Sequence, residues 1–254
     1  MSKNPTACLL VIGNEVLSGR TQDANLKYVA TRLGELGIAL REARVIPDVP
    51  DVIIGTVNEV RARFDHVFTT GGIGPTHDDI TSECISAAFG VPWEVHPVAF
   101  AKMNAAYKSG DFNAARQRMA TMPRGASLIE TTVSIAPGFS IGNVHVLAGV
   151  PRIMQAQFEA VAPSLKGGLP IISRAVHATG VFEGTLAAGL TAIQARFPAL
   201  DIGSYPYYRP GGGGGVAIVS KGTDAPAAEA AIAEVTSLMQ SLGGNPVQGE
   251  PPAG

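Results

Sequence analysis

Charged residues and long apolar runs are both scarce in this sequence of 254 residues. Only 16% of the residues are charged and 46% are hydrophobic, yet the longest apolar run, at 7–12, is far shorter than the roughly 20 residues that span a bilayer. The 19 Lys and Arg residues nearly balance the 21 Asp and Glu residues, for a net charge of −2. The chain therefore lacks the broad positive field that attracts nucleic acids. We expect a folded protein with no membrane and no nucleic-acid partner.

Cysteine is rare as well, with two in the whole chain. Cys8 lies in an apolar run and Cys84 in a helical pattern, without the close spacing of a zinc site or a redox pair. We expect both to be buried free thiols. The first residues, MSKNPTA, contain no small-residue cleavage site of the kind found in secretion signals. A cytoplasmic location is therefore expected.

Strand-like and helix-like patterns alternate over the first two thirds of the chain. Asp23 can cap a helix that Gly37 closes, and Pro50 can open the next one. Gly142-Asn143, between two alternating pairs, predicts a hairpin. The predicted strands are 7–12, 40–46, 66–70 and the hairpin 139–147, and the predicted helices are 23–37, 50–64, 79–90, two within 97–122, and 151–165. Such alternation predicts an α/β fold with a mostly parallel sheet between helices.

A composition break at 166–170, Lys-Gly-Gly-Leu-Pro, divides the chain. We expect a first domain at 1–168, a second at 169–248, and a frayed tail at 249–254 that is rich in Pro and Gly. The second part shows a strand (171–178), a helix (182–197), two strands (200–207 and 216–220) and a helix (225–242). This β-α-β-β-α order predicts a small α+β domain.

The segment 69–81, TTGGIGPTHDDIT, carries the strongest chemical signal. Glycines between a strand and a helix start let backbone amides converge on an oxyanion such as phosphate. Asp78 and Asp79 would repel that anion unless a cation lies between them, which predicts a divalent metal. The alternative is a tight turn in which one Asp caps the helix. The segment is not a Rossmann fingerprint, because His77 stands where its last glycine belongs, and no Walker-A motif occurs.

Two more acidic residues follow strands of the predicted sheet. Glu15 comes just after the first strand and Asp48 just after the second. Ligands of open parallel sheets bind beyond the carboxyl ends of the strands, so these acids could meet Asp78 and Asp79 around one divalent ion (Mg²⁺, Mn²⁺ or Co²⁺). In the alternative, Asp48 caps the helix that begins near Pro50 and Glu15 is merely exposed.

Cations and aromatic residues supply further candidates for ligand contact. Arg124, Arg152 and Arg209 are the cations best placed to help, and a solvated surface position is the alternative for each. Tyrosines could stack on a flat ring or serve as core and hairpin residues; they are Tyr205, Tyr207 and Tyr208. The segment 138–142 matches the G-x-S-x-G pattern of serine hydrolases, but Ser140 runs into a strand pattern. We therefore expect no nucleophile there.

Several blocks of the chain resemble a known family, the molybdopterin-binding (MoaB/MogA-like) domains of molybdenum-cofactor biosynthesis. The match is nearest to the N-terminal region of CinA proteins, and the domain of some eukaryotic FAD synthases is similar as well. The blocks are IGNEVLSG (12–19), DAN (23–25), GPTHDDIT (74–81), APGF (136–139), GVP (149–151) and GSYP (203–206). They extend over nearly the whole chain.

The resemblance implies a three-layer αβα core followed by a KH-like domain, and a cytoplasmic homo-oligomer, a dimer or trimer. It implies a pterin-phosphate or nucleotide ligand and, in some relatives, metal-dependent cleavage of ADP-ribose or FAD. Alternatives are a non-catalytic molybdopterin-binding module and a molybdopterin adenylyltransferase. By this resemblance Asp48 and Asp79 are catalytic; the position of the acids predicts that Glu15, Asp78 and Asp79 hold the metal. The ligand-binding residues would be Asn25, Gly71, Gly72, Gly74, Thr76, Thr81, Gly138, Arg152 and Tyr205.

Three departures from the family pattern limit the transfer. No amidase domain of the full CinA type is seen, so we do not expect nicotinamide-nucleotide deamidation. Ala148 stands where Pro is usual before Gly149. The KH-like part lacks the Gly-x-x-Gly clamp with basic flanks, so its topology does not imply RNA binding.

Overall fold

The computed structural model describes residues 4–208 and 213–252. The chain forms two compact units, Met1–Gly168 and Leu169–Gly254, which are described separately. Arg209, one of the candidate cations, lies outside the described residues. No helix in the described ranges is long and apolar enough to cross a membrane.

The first unit contains a six-stranded sheet and a separate pair of short strands. Its strands are β1 (Thr6–Ile12), β2 (Ala39–Ile46), β3 (His66–Thr70), β4 (Trp93–Val95), β5 (Thr121–Pro123), β6 (Ser127–Ile129), β7 (Gly138–Ile141) and β8 (Val144–Leu147). Its helices are α1 (Asn14–Leu17), α2 (Asn25–Glu35), α3 (Pro50–Arg63), α4 (Thr81–Phe89), α5 (Pro97–Ala106), α6 (Ala114–Arg118) and α7 (Pro151–Val161), which a 3₁₀ turn (Ala162–Ser164) follows. The sheet order is β2-β1-β3-β8-β7-β6, while β4 and β5 pair with each other.

The sheet is mostly parallel and is covered by helices on both faces. Strands β2, β1, β3 and β8 are parallel, and the hairpin β7–β8 and the edge strand β6 add antiparallel pairs. Alternate residues of β1 enter different cores. Cys8 and Leu10 pack with α3, α4 and α5, whereas Ala7 and Leu9 pack with α2 and α7. The predicted three-layer α/β fold is confirmed.

Local signals explain where most of these elements begin and end. The Asp23 carboxylate accepts a hydrogen bond from the Leu26 amide (2.8 Å) at the start of α2. Gly90 ends α4 in a left-handed conformation. Cys8 and Cys84 are buried free thiols, as predicted, and burial raises the pKa of each to about 11. The predicted helices at 79–90 and 151–165 are shorter than expected, because α4 begins at Thr81 and α7 ends at Val161.

The second unit is an antiparallel sheet with two helices. Its elements are β9 (Ile172–Thr179), α8 (Glu183–Arg196), β10 (Asp201–Tyr208), β11 (Gly214–Gly222), α9 (Ala225–Ser241) and β12 (Val247–Gln248), and the strand order is β10-β11-β9-β12. Val176, Ile218, Leu186 and Val235 belong to its own core. The predicted β-α-β-β-α pattern is present, with β12 as an addition.

The start of the expected frayed tail is held in place. The amide of Gly249 donates to the Ala175 carbonyl (2.8 Å), and His177 Nδ1 donates to the Gly249 carbonyl (2.9 Å). The prediction of fraying was wrong at Gly249, because composition alone does not reveal that β12 pairs with β9.

Candidate functional site

A glycine loop (residues 71–74) follows β3 at the carboxyl end of the sheet. Gly71 and Gly72 have positive φ angles of 102° and 68°, which favour glycine. A Cβ on Gly71 would collide with the Ile12 carbonyl oxygen, and one on Gly72 with Thr81 Oγ1. The loop is anchored because the Gly71 amide donates to the Leu147 carbonyl (3.2 Å) and the Thr81 amide to the Gly72 carbonyl (3.0 Å). Glycine is therefore required here for close packing as well as for the turn.

Amides of the glycine loop remain free to bind a ligand. The N–H groups of Gly72, Ile73 and Gly74 make no hydrogen bond within the described part of the chain, whereas the Gly71 amide is already used. Free amides in a glycine loop before a helix can bind an anion. We call this group of free amides, at residues 72–74, the amide cradle. Gly71, which the sequence analysis also included, does not belong to it.

Asp79 closes the turn that leads into α4. One of its carboxylate oxygens, Oδ2, accepts hydrogen bonds from the amide (2.8 Å) and the hydroxyl of Thr76. Asp78 is exposed, and hydrogen bonding within this turn holds the pKa of its carboxyl below its usual value. The His77 side chain is 98% exposed. Asp79 thus stabilises a loop turn and is not the side-chain cap of α4.

The other two acids are also engaged locally. Asp48 Oδ2 accepts a hydrogen bond from the Asn14 amide (2.8 Å), at the start of α1; it does not cap the helix that begins at Pro50. Glu15 is exposed, and its carboxylate lies over Gly13, where a Cβ would meet it.

The predicted convergence of Glu15, Asp48, Asp78 and Asp79 around a dication is not found. Among the residues that the structure describes, no group of three or more His, Cys, Asp or Glu could hold a metal ion. The physical reason is that unpaired amides at helix and turn starts compete for the carboxylates. This donor set does not fit a metal held by the protein alone.

Buried polar atoms without partners surround the glycine loop. Asn25 is 4% exposed; its Nδ2 donates to the Gly149 carbonyl (2.9 Å), while its Oδ1 has no partner among the described residues. Gly149 in turn packs against Gly71. The hydroxyls of Thr70 and Thr81 are likewise buried without a partner in this part of the structure. Because buried polar groups are almost always paired, these atoms indicate a place where a ligand or water completes the hydrogen bonds.

Arg118 is a candidate site residue that the sequence analysis did not identify. It ends α6 and lines a cleft together with Ile73, Gly74 and Asp79. Its guanidinium lies 5.1 Å from the centre of the Trp93 ring, and its Nε is buried with no partner among the described residues. No motif marks this arginine, because it is 44 positions beyond Gly74 in an unremarkable helical stretch.

The remaining candidates have different surroundings. Arg124 forms an ion pair with Glu94 (2.6 Å), and Arg152 is exposed at the start of α7. A Cβ on Gly138 would press against the Val146 carbonyl, so packing accounts for this glycine. Tyr205 lies on β10 of the second unit and is 48% exposed.

Ser140 belongs to strand β7, as predicted, and not to a strand-to-helix turn. Its hydroxyl is 2.8 Å from His145 Nδ1 in the neighbouring strand. Burial, with a smaller effect of His66, lowers the pKa of His145 to about 4. A buried imidazole of such low basicity is a poor base for activating a serine.

Two family models match the chain. One, described as a probable molybdopterin binding domain, matches residues 8–167. The other, described as the middle domain of FAD synthase, matches residues 170–244.

Relatives agree with these matches. A protein of Pyrobaculum calidifontis is 36% identical over 212 residues, which cover 80% of this chain and 81% of that protein. A CinA-like protein of Anaeromyxobacter sp. (strain K) is 36% identical over 151 residues, 56% of this chain but only 36% of that protein. The crystal structure of CinA from Thermoplasma acidophilum, described as a protein of unknown function, is 31% identical with a TM-score of 0.60, covering 64% of this chain and 99% of that one. The chain therefore belongs to the family of molybdopterin-binding domains, of the type found at the N-terminus of CinA proteins.

Proposed function

We propose that the first unit binds a pterin phosphate or a nucleotide through the amide cradle at 72–74. The observation that carries this proposal is the set of free amides at Gly72, Ile73 and Gly74, which favour a phosphate in the loop that leads into α4. Buried acceptors without partners, Asn25 Oδ1 and Thr81 Oγ1, give the same region further hydrogen-bonding capacity. The family's description as a probable molybdopterin binding domain supports a ligand of this class.

Cleavage of an ADP-ribose- or FAD-like dinucleotide is a second candidate function. Two observations favour it: the FAD synthase middle-domain match at 170–244, and Asp79 at the edge of the cleft that Gly74 also lines. The chain's own residues would bind the diphosphate with the cradle amides and place the free oxygen of Asp79 beside it. The dependence on Mg²⁺, Mn²⁺ or Co²⁺ expected from the sequence is part of this candidate, although the carboxylates do not form a cage by themselves. Adenylyl transfer to molybdopterin ranks below both candidates.

The binding proposal is tested by titration calorimetry with AMP, ADP-ribose and FAD. We expect at least one of them to bind, and a ligand at one hundred times its Kd to raise the free energy of unfolding by about 2.7 kcal/mol. Absence of binding by all three at millimolar concentration would contradict a nucleotide as the ligand.

The same mixtures, supplied with Mg²⁺ or with EDTA and analysed for mononucleotides, test the cleavage candidate. The variant Asp79→Asn is its control, because the amide oxygen can still accept the Thr76 hydrogen bonds. Cleavage should disappear in this variant while binding remains. Equal turnover by wild type and variant would remove Asp79 from the reaction.

A further inference from the structure

Arg118 carries a charge that no carboxylate balances. Six arginines form ion pairs with glutamates, namely Arg32, Arg44, Arg63, Arg124, Arg174 and Arg196. Arg118 differs from the unpaired arginines Arg61 and Arg116 in having a buried Nε without a partner among the described residues. Arg118 has no such partner in the ranges that the structure describes, although it is partly buried and its Nε is fully so. Burying a charge without a counter-ion is unfavourable. An anionic ligand would remove this cost.

The guanidinium of Arg118 is held in a defined position. It stacks over Trp93, and the Trp93 Nε1 donates at 3.1 Å both to Ser82 Oγ and to the Thr121 carbonyl. The Arg118 Nη2 is 3.4 Å from the Asp79 carbonyl, a long contact that leaves donor capacity for another acceptor. The ring and the backbone thus orient the arginine before any ligand arrives.

Two residues of the amide cradle line the same cleft as Arg118. Ile73 and Gly74 line the cleft together with Arg118, and their N–H groups are free. A guanidinium presents its N–H donors in a rigid planar fork that matches two oxygens of a phosphate. Free amides and a guanidinium fork on one cleft are donors that suit a phosphate group.

The Asp79 carboxylate at the edge of this cleft would oppose a phosphate. Its Oδ2, however, already accepts the amide and hydroxyl of Thr76, and these donors spread its negative charge. Arg118 lies beside the Asp79 backbone and adds a full positive charge. The cleft therefore has a cation at the place where the sequence suggested a metal.

We propose that Arg118 and the amide cradle at 72–74 clamp the phosphate of the ligand, and that Arg118 balances its charge without a metal ion. This inference rests on the proposed function and specifies how its site recognises phosphate. It predicts that an inorganic phosphate compound binds in the presence of a chelator, and that binding weakens when Arg118 loses its charge.

The test is titration calorimetry of inorganic pyrophosphate in EDTA, with wild type, Arg118→Gln and the matched control Arg116→Gln. Arg116 lies on the same helix, but its guanidinium stacks on Tyr107 and binds the Asp111 carbonyl, away from the cleft. We expect Arg118→Gln to weaken pyrophosphate binding at least tenfold, equivalent to about 1.4 kcal/mol. Arg116→Gln should bind like wild type. Thermal melting without ligand verifies folding, and Arg118→Met, whose stem can still pack on Trp93, serves if the glutamine variant does not fold.

Each outcome decides between the proposals. Equal affinity of wild type and the Arg118 variant, or pyrophosphate binding that requires Mg²⁺, would overturn the role of Arg118. If wild type binds AMP, ADP-ribose or FAD but not pyrophosphate, this result overturns the inference about Arg118 and leaves the proposed function standing. Failure to bind any of the four compounds would overturn the proposed function, and this inference with it.

Discussion

His145 is a buried titratable side chain at the centre of the first unit. It lies on β8, 7% exposed, with its ring centre 5.0 Å from that of Phe68 and 5.8 Å from that of His66. Ser140 contacts its Nδ1, while its Nε2 has no partner among the described residues. This environment favours the neutral imidazole, which is why its pKa falls to about 4.

The low pKa of His145 predicts an acid-sensitive fold. The unfolded chain takes up a proton near pH 6.5 and the folded chain only near pH 4, so stability is complete above pH 6.5 and is lost as the pH falls towards 4. Protonation of this residue should lower the free energy of unfolding by about 3 kcal/mol between pH 7 and pH 4. Urea unfolding at pH 7 and pH 4 measures it, and His145→Gln should lose that much less than wild type. An equal loss of stability in wild type and His145→Gln would contradict the assignment.

The residues of the candidate site show which roles can be predicted from the sequence. The glycines at 71, 72 and 74 were identifiable, because a glycine-rich turn between a strand and a helix is typical of a loop that binds an anion through its backbone. The partners of Asp48 were not, since the amide that it binds, that of Asn14, is 34 residues away. Arg118 was missed for the same reason, because only the fold brings it to the loop. Charge and spacing identify candidates, and tertiary contacts decide which of them are available.

At the scale of elements, Gly72 in the turn from β3 into α4 and Gly90 at the end of α4 differ in how closely their surroundings pack. The two glycines have nearly equal φ angles, 68° and 65°. A Cβ on Gly90 meets nothing within 4 Å, whereas one on Gly72 collides with Thr81, which is fully buried.

This pair of glycines allows a matched test of crowding. Gly90→Ala should lower the free energy of unfolding by about 1 kcal/mol, the cost of a left-handed non-glycine residue. Gly72→Ala should cost a further roughly 1–3 kcal/mol, because Thr81 must shift within a packed interior. Chemical denaturation of both variants measures the difference. Equal losses would mean that Thr81 moves aside freely.

The elements that could be predicted are those with strong local signals. A continuous apolar run marked β1, the glycines that follow marked the end of β3, and prolines or caps marked the starts of α2, α3 and α7. The missed elements, α1, β4, β5, β6 and β12, have two to four residues each. Such short segments contain little more than one helical turn, or only one or two strand alternations. Their existence depends on pairing with distant residues, as when Trp93 pairs with Pro123.

At the scale of the whole molecule, each unit has hydrophobic cores drawn only from its own residues. The cores of the first unit include Leu10, Phe139 and Phe158, and the core of the second includes Val176 and Val235. The two family models match residues 8–167 and 170–244, so the gap between them falls at the boundary between the two units. A core of its own is the main requirement for a segment to fold independently.

We therefore expect a fragment of residues 1–168 to fold by itself. It keeps all of α7, whose Met154 and Phe158 fill one core, and also the Gly168 amide, which donates to the Leu36 carbonyl (3.0 Å). Its thermal unfolding should be a single cooperative transition, measured by circular dichroism and calorimetry. The control fragment 1–150 lacks α7, so Leu9 and Leu33 of the same core lose the side chains that cover them. Truncating large core side chains one at a time already costs about 2–5 kcal/mol each, so losing the helix should abolish the transition. A non-cooperative melt of 1–168, or a cooperative one of 1–150, would show that the fold of the first unit is stabilised differently from what its packing indicates.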